Sequence, residues 1–360
     1  MPKVAERLRV AYISRGILGT AAIEGNTLSQ EQVEQQLQGT LEVPPSQEYL
    51  KREIQNLKDA YEKAATGIWD NERRSITEDQ IKEFNRMILE GLPVKPEVTP
   101  GEYAVKQHGV GSYRAPAPAD IRRLMPCLVE WLNDSTWEQE IGSPVVARIL
   151  QAIMAHLYIA WIHPFGDGNG RTARLLEADL LARAGVPSIT YHLLSTHYNQ
   201  TRSEYYRVLA ITTATPQGQP ERFIRYAVQG FTDGLRNQIA EIKLQHREIV
   251  WRDYVHSQFH SLNTDRYVRL RRLAIDLSEQ PKPVPKSALW RISDRVADSY
   301  RGKTPKTVTR DLRELVGMGL IRREGTGYVA ATDILESFVA PYRGVLPGKS
   351  TRKNAGTNPR

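Results

Sequence analysis

The stretch His163-Pro164-Phe165-Gly166-Asp167-Gly168-Asn169-Gly170-Arg171-Thr172-Ala173-Arg174 decides how the rest of the chain is read. Glycines at 166, 168 and 170 surround a carboxylate and an amide, and the amphipathic run Leu175-Leu176-Glu177-Ala178-Asp179-Leu180-Leu181 follows. Small residues leading into a helix leave backbone N–H groups free to point at an anion, and the helix dipole favours negative charge there. Arg171 and Arg174, one turn apart, add planar donors suited to phosphate oxygens. Asp167 beside such a cradle makes sense with a divalent cation between them, because Mg2+ takes one or two carboxylates together with phosphates. His163 ends an apolar helix that Pro164 stops, a place suited to a general base near neutral pH. A base, a metal carboxylate and a nucleotide-phosphate cradle thus fall within twelve residues. The P-loop pattern is absent, so the phosphates are held another way.

At 360 residues the chain is long enough for two or three domains. Hydrophobic content of 40% and charged content of 25% are ordinary for a globular protein. The apolar runs read as too short to span a bilayer and the N-terminus shows no signal-peptide core, so no membrane partner is expected. The single Cys127 leaves no intrachain disulfide and no cysteine-rich metal site, which fits a reducing cytoplasm as the expected location. The net charge of +8 favours acidic partners or nucleic acid, with much of the excess late in the chain.

Upstream, Thr20-Ala21-Ala22-Ile23-Glu24-Gly25-Asn26 reads as a helix end at Gly25, with Thr27 and Ser29 capping a fresh helix over residues 30–38. On these residues alone Glu24 is an exposed side chain at a C-cap. Residues 47–61 read as a helix with Leu50, Ile54, Leu57 and Tyr61 on one face, and Ser75-Ile76-Thr77-Glu78 as a capping box. Residues 100–118 are punctuated by glycine and proline, with short extended pieces. Helices follow over residues 121–133 and, opened by Pro144, over 145–162, where Ile149, Ile153, His156, Leu157 and Ala160 form a stripe running into His163.

The late part of the chain changes character. Residues 221–243 continue the helical body and 248–277 read as a charged helical connector. Gln280-Pro281-Lys282-Pro283-Val284-Pro285 then marks a break. A helix-like stretch over 286–297, a helix opened by Thr304-Pro305 and two short strands around Gly325 make the winged-helix pattern. Lys306, Arg310, Arg313, Arg322 and Arg323 there either meet DNA phosphates or form a solvated or protein-contacting face. The polar, basic tail has no periodicity and is expected to be disordered.

With eight specified positions in the order His-x-Phe-x-Asp-Gly-Asn-Gly-Arg-x-x-Arg, residues 163–174 resemble the core motif of the Fic family. The resemblance covers about residues 10–238. It implies a mostly α architecture, a Fic-type helical bundle with a β-hairpin flap, followed here by a small winged-helix (α+β) domain. The expected organisation is a helical region over 1–98, with an inhibitory helix at about 11–25, a Fic core over 99–240, a connector over 241–279, a winged helix over 280–340 and the tail over 341–360. The resemblance further implies a protein adenylyltransferase that uses ATP and Mg2+ to move AMP onto a Ser, Thr or Tyr hydroxyl of a target protein, with release of pyrophosphate. His163 would take the hydroxyl proton, Asp167 hold the metal, and Gly168, Asn169, Gly170 and Thr172 line the phosphates. Arg171 and Arg174 would orient the β- and γ-phosphates, with Phe165 anchoring the loop.

Thr20, Glu24 and Gly25 resemble the family's inhibitory motif, Ser/Thr-x-x-x-Glu-Gly/Asn, whose glutamate pairs with the second core arginine, here Arg174, in the place of the γ-phosphate. The segment before Pro118 resembles the flap, which holds the target by strand addition, with His108, Gly109, Val110 and Gly111 nearest the nucleotide. Ala104 departs from the arginine common there, which leaves the target register open. Tyr205 and Tyr206 either border the adenosine, as a tyrosine pair does in related proteins, or pack on the core helix. Two further readings stand beside this one: the same site transfers another nucleotide or phosphate-containing group or removes AMP, or the chain is a DNA-binding regulator with the Fic domain as sensor. The partners implied are the target protein, DNA or a protein at the winged helix, and a second copy of the chain.

Overall fold

A computed structural model describes residues 2–66, 75–110, 113–213, 218–260, 262 and 264–337. The tail over 341–360 and flap residue Gly111 lie outside them. The chain divides into two compact units, Met1–Gln238 and Ile239–Arg360. The first holds α1 (Pro2–Ile23), α2 (Gln30–Leu37), α3 (Glu48–Thr66), α4 (Glu78–Leu89), the hairpin β1 (Gly109–Val110) and β2 (Tyr113–Arg114), α5 (Pro118–Asn133), α6 (Thr136–Ile141), α7 (Pro144–Ile162), α8 (Asn169–Arg183), α9 (Leu193–Gln200) and α10 (Arg202–Thr213). The unit boundary falls inside α11 (Pro220–Gln258).

Helix starts follow from local chemistry. Ser29 begins α2 with a capping box: its hydroxyl accepts from Gln32 N–H at 3.2 Å while the Gln32 side chain accepts from Ser29 N–H at 2.9 Å. The capping residue of α4 is Thr77, not Ser75. Asn133 accepts from the Ile76 N–H at 2.8 Å and donates to its carbonyl at 2.8 Å, pinning buried Ile76 before the helix begins.

The first unit is built around α8. This helix is enclosed on nearly every side, and even Arg174, Glu177 and Asp179 are 1% exposed. Buried charges require partners. Glu177 accepts from the Tyr198 hydroxyl at 2.9 Å and lies 3.4 Å from His156 Nδ1, whose other ring nitrogen is 3.0 Å from the Tyr205 hydroxyl. Asp179 takes Arg183 at 2.8 Å and Gln80 at 3.2 Å. The apolar side chains of α7, with Ile153, Leu157 and Ile159 fully buried, share this core with α3 and α4. By length and composition α7 is apolar enough to cross a membrane, contrary to the reading of the apolar runs as too short, although half of that window is buried inside the fold.

In the second unit, α12 (Asp265–Leu277), β3 (Val284–Pro285), α13 (Asp294–Tyr300), α14 (Pro305–Gly317), β4 (Ile321–Glu324) and β5 (Gly327–Ala330) surround a core that includes Trp251, Phe259, Leu273, Leu289, Leu312 and Leu320. The stretch 248–277, expected as one connector, is the end of α11 followed by α12, and its apolar residues belong to that core. The strands form an antiparallel sheet in the order β3-β5-β4. β3 falls within the proline-rich break, and Pro285, lacking an N–H, fits because the strand is at the edge. The helix-like stretch 286–297 is a short 3-10 turn, Leu289–Arg291, then α13 capped by Ser293.

Two glycines set how closely α1 approaches α9. A Cβ on Gly16 would lie 2.7 Å from His192 Cβ, and one on Gly19 would lie 2.8 Å from the Ser195 carbonyl oxygen. Because that neighbour is backbone, Gly19→Val is expected to destabilise the fold by about 1–3 kcal/mol, read as a lower thermal midpoint.

Candidate active site

The loop between α7 and α8 is held from several sides. Helix α7 ends on His163, which takes the left-handed conformation (φ 49°, ψ 56°), the one positive-φ residue other than glycine among those described. For a residue with a Cβ this costs about 1–2 kcal/mol, and Pro164 disfavours continuing the helix. Phe165 is 1% exposed, and Asn169 locks it by accepting from its N–H at 2.9 Å and donating to its carbonyl at 2.7 Å. Gly168, at φ +75°, is the N-cap of α8, and a Cβ there would meet Asn85 Nδ2 at 2.9 Å. The Asn85 amide, buried on α4, donates to the Asp167 carbonyl at 2.9 Å and to Thr172 Oγ1 at 3.2 Å and accepts from Gly101 N–H at 3.0 Å. One side chain thus staples the loop to the segment that leads into the hairpin.

That segment is stitched to the loop again one step on. Ala104 N–H donates to the Pro164 carbonyl at 2.8 Å and Tyr103 bridges Phe165. Ala104 is 6% exposed, so the small side chain suits an enclosed position. In the hairpin, Gly109 pairs with Arg114 and Val110 with Tyr113. The Tyr113 hydroxyl donates to the Trp161 carbonyl at 2.6 Å, on the last turn of α7. His108 sits close enough for its charge to act on His163.

Charges converge on the start of α8. Burial lowers the pKa of His163 below the ordinary imidazole value; a hydrogen bond to the Ala160 backbone and the nearby Glu24 and Asp167 pull the other way. The ring is therefore neutral at pH 7, with one nitrogen held by Ala160 and the other available to accept a proton. Asp167 Oδ1 accepts from Gly168 N–H at 2.6 Å and from Arg171 Nη2 at 3.2 Å, and its side chain is 43% exposed. Arg171 Nη1 donates to Glu53 Oε1 at 2.6 Å.

Arg174 is buried, and its Nη2 donates to Glu24 Oε1 at 2.5 Å and to the Thr20 carbonyl at 3.2 Å. Burial pushes the Glu24 carboxyl up, but Arg174, helped by Arg171 and Arg202, outweighs it and holds the pKa below the usual carboxylate range. A Cβ on Gly170 would collide with Glu24 Oε1, so the carboxylate lies over the first turn of α8, where N–H groups lack intrahelical partners.

Phosphate and metal fit this arrangement. Arg171 Nε and Arg174 Nε and Nη1 are buried with no hydrogen-bond partner, donors suited to a further anion. Among the described residues no three His, Cys, Asp or Glu side chains cluster as metal ligands. Asp167 alone suits an ion such as Mg2+ that keeps waters and takes phosphate oxygens.

The remaining expected positions fall in different places. Thr172 is fully buried; Thr20 Oγ1 is 3.1 Å from the Tyr61 hydroxyl; Gly25 ends α1 at φ +102°. Tyr205 is 3% exposed with its hydroxyl on His156, whereas Tyr206 is 45% exposed with its hydroxyl 3.4 Å from the Ile23 carbonyl. Glu53 and Asn85 were not singled out from the sequence. Their signal was a polar residue beside apolar helix positions, Ile54 for one and Phe84 for the other.

Residues 75–181 match the model of the Fic/DOC family. The protein adenylyltransferase fic-1 of Caenorhabditis briggsae is 28% identical over 231 residues, 64% of this chain and 42% of that protein. The protein adenylyltransferase Fic of Aedes aegypti is 34% identical over 216 residues, 60% of this chain and 39% of that protein. The chain thus spans about two fifths of the length of these curated relatives. Among solved structures, Fic-1 of Caenorhabditis elegans superposes with a TM-score of 0.53 at 28% identity, over 63% of this chain and 62% of that one. A Fic family protein from Desulfovibrio desulfuricans shares the fold with a TM-score of 0.54 at 20% identity, over 90% and 87% of the two chains. Residues 75–181 thus match the Fic/DOC family, and the chain around them is similar to Fic proteins of several species.

Proposed function

We propose that this chain is a protein adenylyltransferase that moves AMP from ATP to a Ser, Thr or Tyr hydroxyl of a target protein, and that Glu24 holds it inhibited. The observation that carries the reading is the buried Arg174, an anion-seeking group at the head of α8, filled by the chain's own Glu24 at 2.5 Å. In the transfer, the target hydroxyl oxygen bonds to the α-phosphorus as the α–β bridging bond breaks and pyrophosphate leaves. His163 accepts the hydroxyl proton on the ring nitrogen that Ala160 does not hold. The N–H groups of the first turn of α8 and the Arg171 guanidinium hold the phosphates, and Arg174 exchanges Glu24 for the γ-phosphate. Mg2+ held at Asp167 supplies charge neutralisation for the phosphates. The hairpin takes the target as an added strand, with Tyr113 tying the hairpin to α7.

In the second unit we read α13, α14 and the β4–β5 hairpin as a winged-helix module for DNA or a protein partner. Lys306, Arg310 and Arg313 on α14 are exposed, whereas Arg322 on β4 is engaged by Asp333 and Glu324.

With ATP labelled on the α-phosphate, Mg2+ and a cell extract, Glu24→Gly is expected to label proteins at least tenfold above wild type, and Glu24→Gly combined with His163→Ala to label none. Loss of activity on removing Glu24 sinks the inhibitory reading. The pH dependence separates the two groups. Arg174 holds the Glu24 carboxyl below the usual carboxylate range, so it stays ionised around neutral pH, while His163, whose pKa burial lowers from the ordinary imidazole value, must be deprotonated to act. Transfer by Glu24→Gly should therefore rise with pH through a midpoint below the ordinary imidazole value and stay flat above it. Removing Glu24 also leaves a buried guanidinium unpaired, a cost of roughly 3–5 kcal/mol. Glu24→Gly should accordingly melt below wild type and regain more of its midpoint than wild type does when ATP is added.

A further inference from the structure

The Glu53 carboxylate on α3 has no part in the transfer described above, yet it is 6% exposed and both its oxygens are engaged. Oε1 accepts from Arg171 Nη1 at 2.6 Å, and Oε2 accepts from Asn26 Nδ2 at 2.9 Å. Asn26, also 6% exposed, is fixed in turn: Nδ2 reaches the Leu50 carbonyl at 3.1 Å, Oδ1 accepts from Leu28 N–H at 3.1 Å, and its own N–H closes the end of α1 on the Ala21 carbonyl at 3.1 Å. The other arm of Arg171, Nη2, rests on Asp167 at 3.2 Å. A guanidinium is a rigid planar fork on a flexible stem, so two carboxylates at its two ends fix its plane. Without Glu53 the carboxylate left on Arg171 among the described residues is Asp167, which lies in the loop with its side chain 43% exposed and is the residue suited to the metal.

We propose that Glu53 is a positioning residue, locking the Arg171 guanidinium in the orientation that meets the β-phosphate, with Asn26 locking the Glu53 rotamer. This rests on the nucleotide-transfer reading above. Gln at position 53 has the same shape but one acceptor oxygen and one donor nitrogen. Facing two donors, Arg171 and Asn26, it must break one of the two bonds.

The test is calorimetric binding of Mg2+-ATP and of AMP, which lacks a β-phosphate, to the full chain carrying Glu24→Gly and His163→Ala. Adding Glu53→Gln should weaken ATP by about ten- to a hundredfold, the scale of a charge-assisted hydrogen bond, and leave AMP unchanged. Asn26→Ala should weaken ATP by less, and should add nothing once Glu53→Gln is present, because it acts only through Glu53. Should Glu53→Gln not fold, Glu53→Asp takes its place, with a smaller loss in the same direction. Unchanged ATP affinity, equal losses for ATP and AMP, or additive effects of the two substitutions overturn the proposal alone. Failure of the parent protein to bind ATP overturns the transfer reading and the proposal with it.

Discussion

A guanidinium sealed from water cannot be left without an anion, and the first unit is arranged around that constraint at Arg174. Its stem lies on α8, whose other faces are occupied by α7, α3 and α4. Solvation from outside is closed to it, so a carboxylate must be delivered from another element. Delivery depends on α1 lying close against α9 through Gly16 and Gly19, because that approach sets where Glu24 ends up. The left-handed Gly25 then stops α1 one residue after the carboxylate is in place.

The same rule governs the rest of α8. Glu177 and Asp179 are as deeply buried as Arg174; Glu177 meets Tyr198 of α9, and Asp179 meets Gln80 of α4 as well as Arg183 of α8 itself. A helix with so many ionised or polar groups inside a core is held in one rotation about its axis, because turning it would strand them. The N-terminal end of α8 inherits that rigidity. His163, just before it, is fixed by other means, since its backbone is strained and its ring is held by Ala160.

What the sequence revealed, and what it did not, divides along chain separation. The loop from His163 to Arg174 is contiguous, so the spacing of its glycines and charges carries its geometry. The Ser29 cap and the stop at Pro164 are equally local. Glu53 and Asn85 are not, because their partners on the core loop lie 118 and 82 residues away. Strand β3 escaped for the same reason: its pairing partner, β5, lies across two helices of sequence, and prolines alone argue for a break. The charged composition of residues 248–277 suggested a solvated connector, whereas Trp251, Leu270 and Leu273 pack in the second core. Basic and acidic residues on the outer face masked the apolar inner one.

Because Glu24 belongs to the same chain as Arg174, its concentration at the site is set by the fold and not by the amount of protein present. Dilution leaves such a contact untouched, unlike one made by a separate subunit. An incoming anion competes with a tethered rival, and its apparent affinity falls by the fraction of molecules in which Glu24 has let go. Small changes in how firmly the end of α1 is seated therefore translate directly into occupancy of the site, with no alteration to the residues that line it.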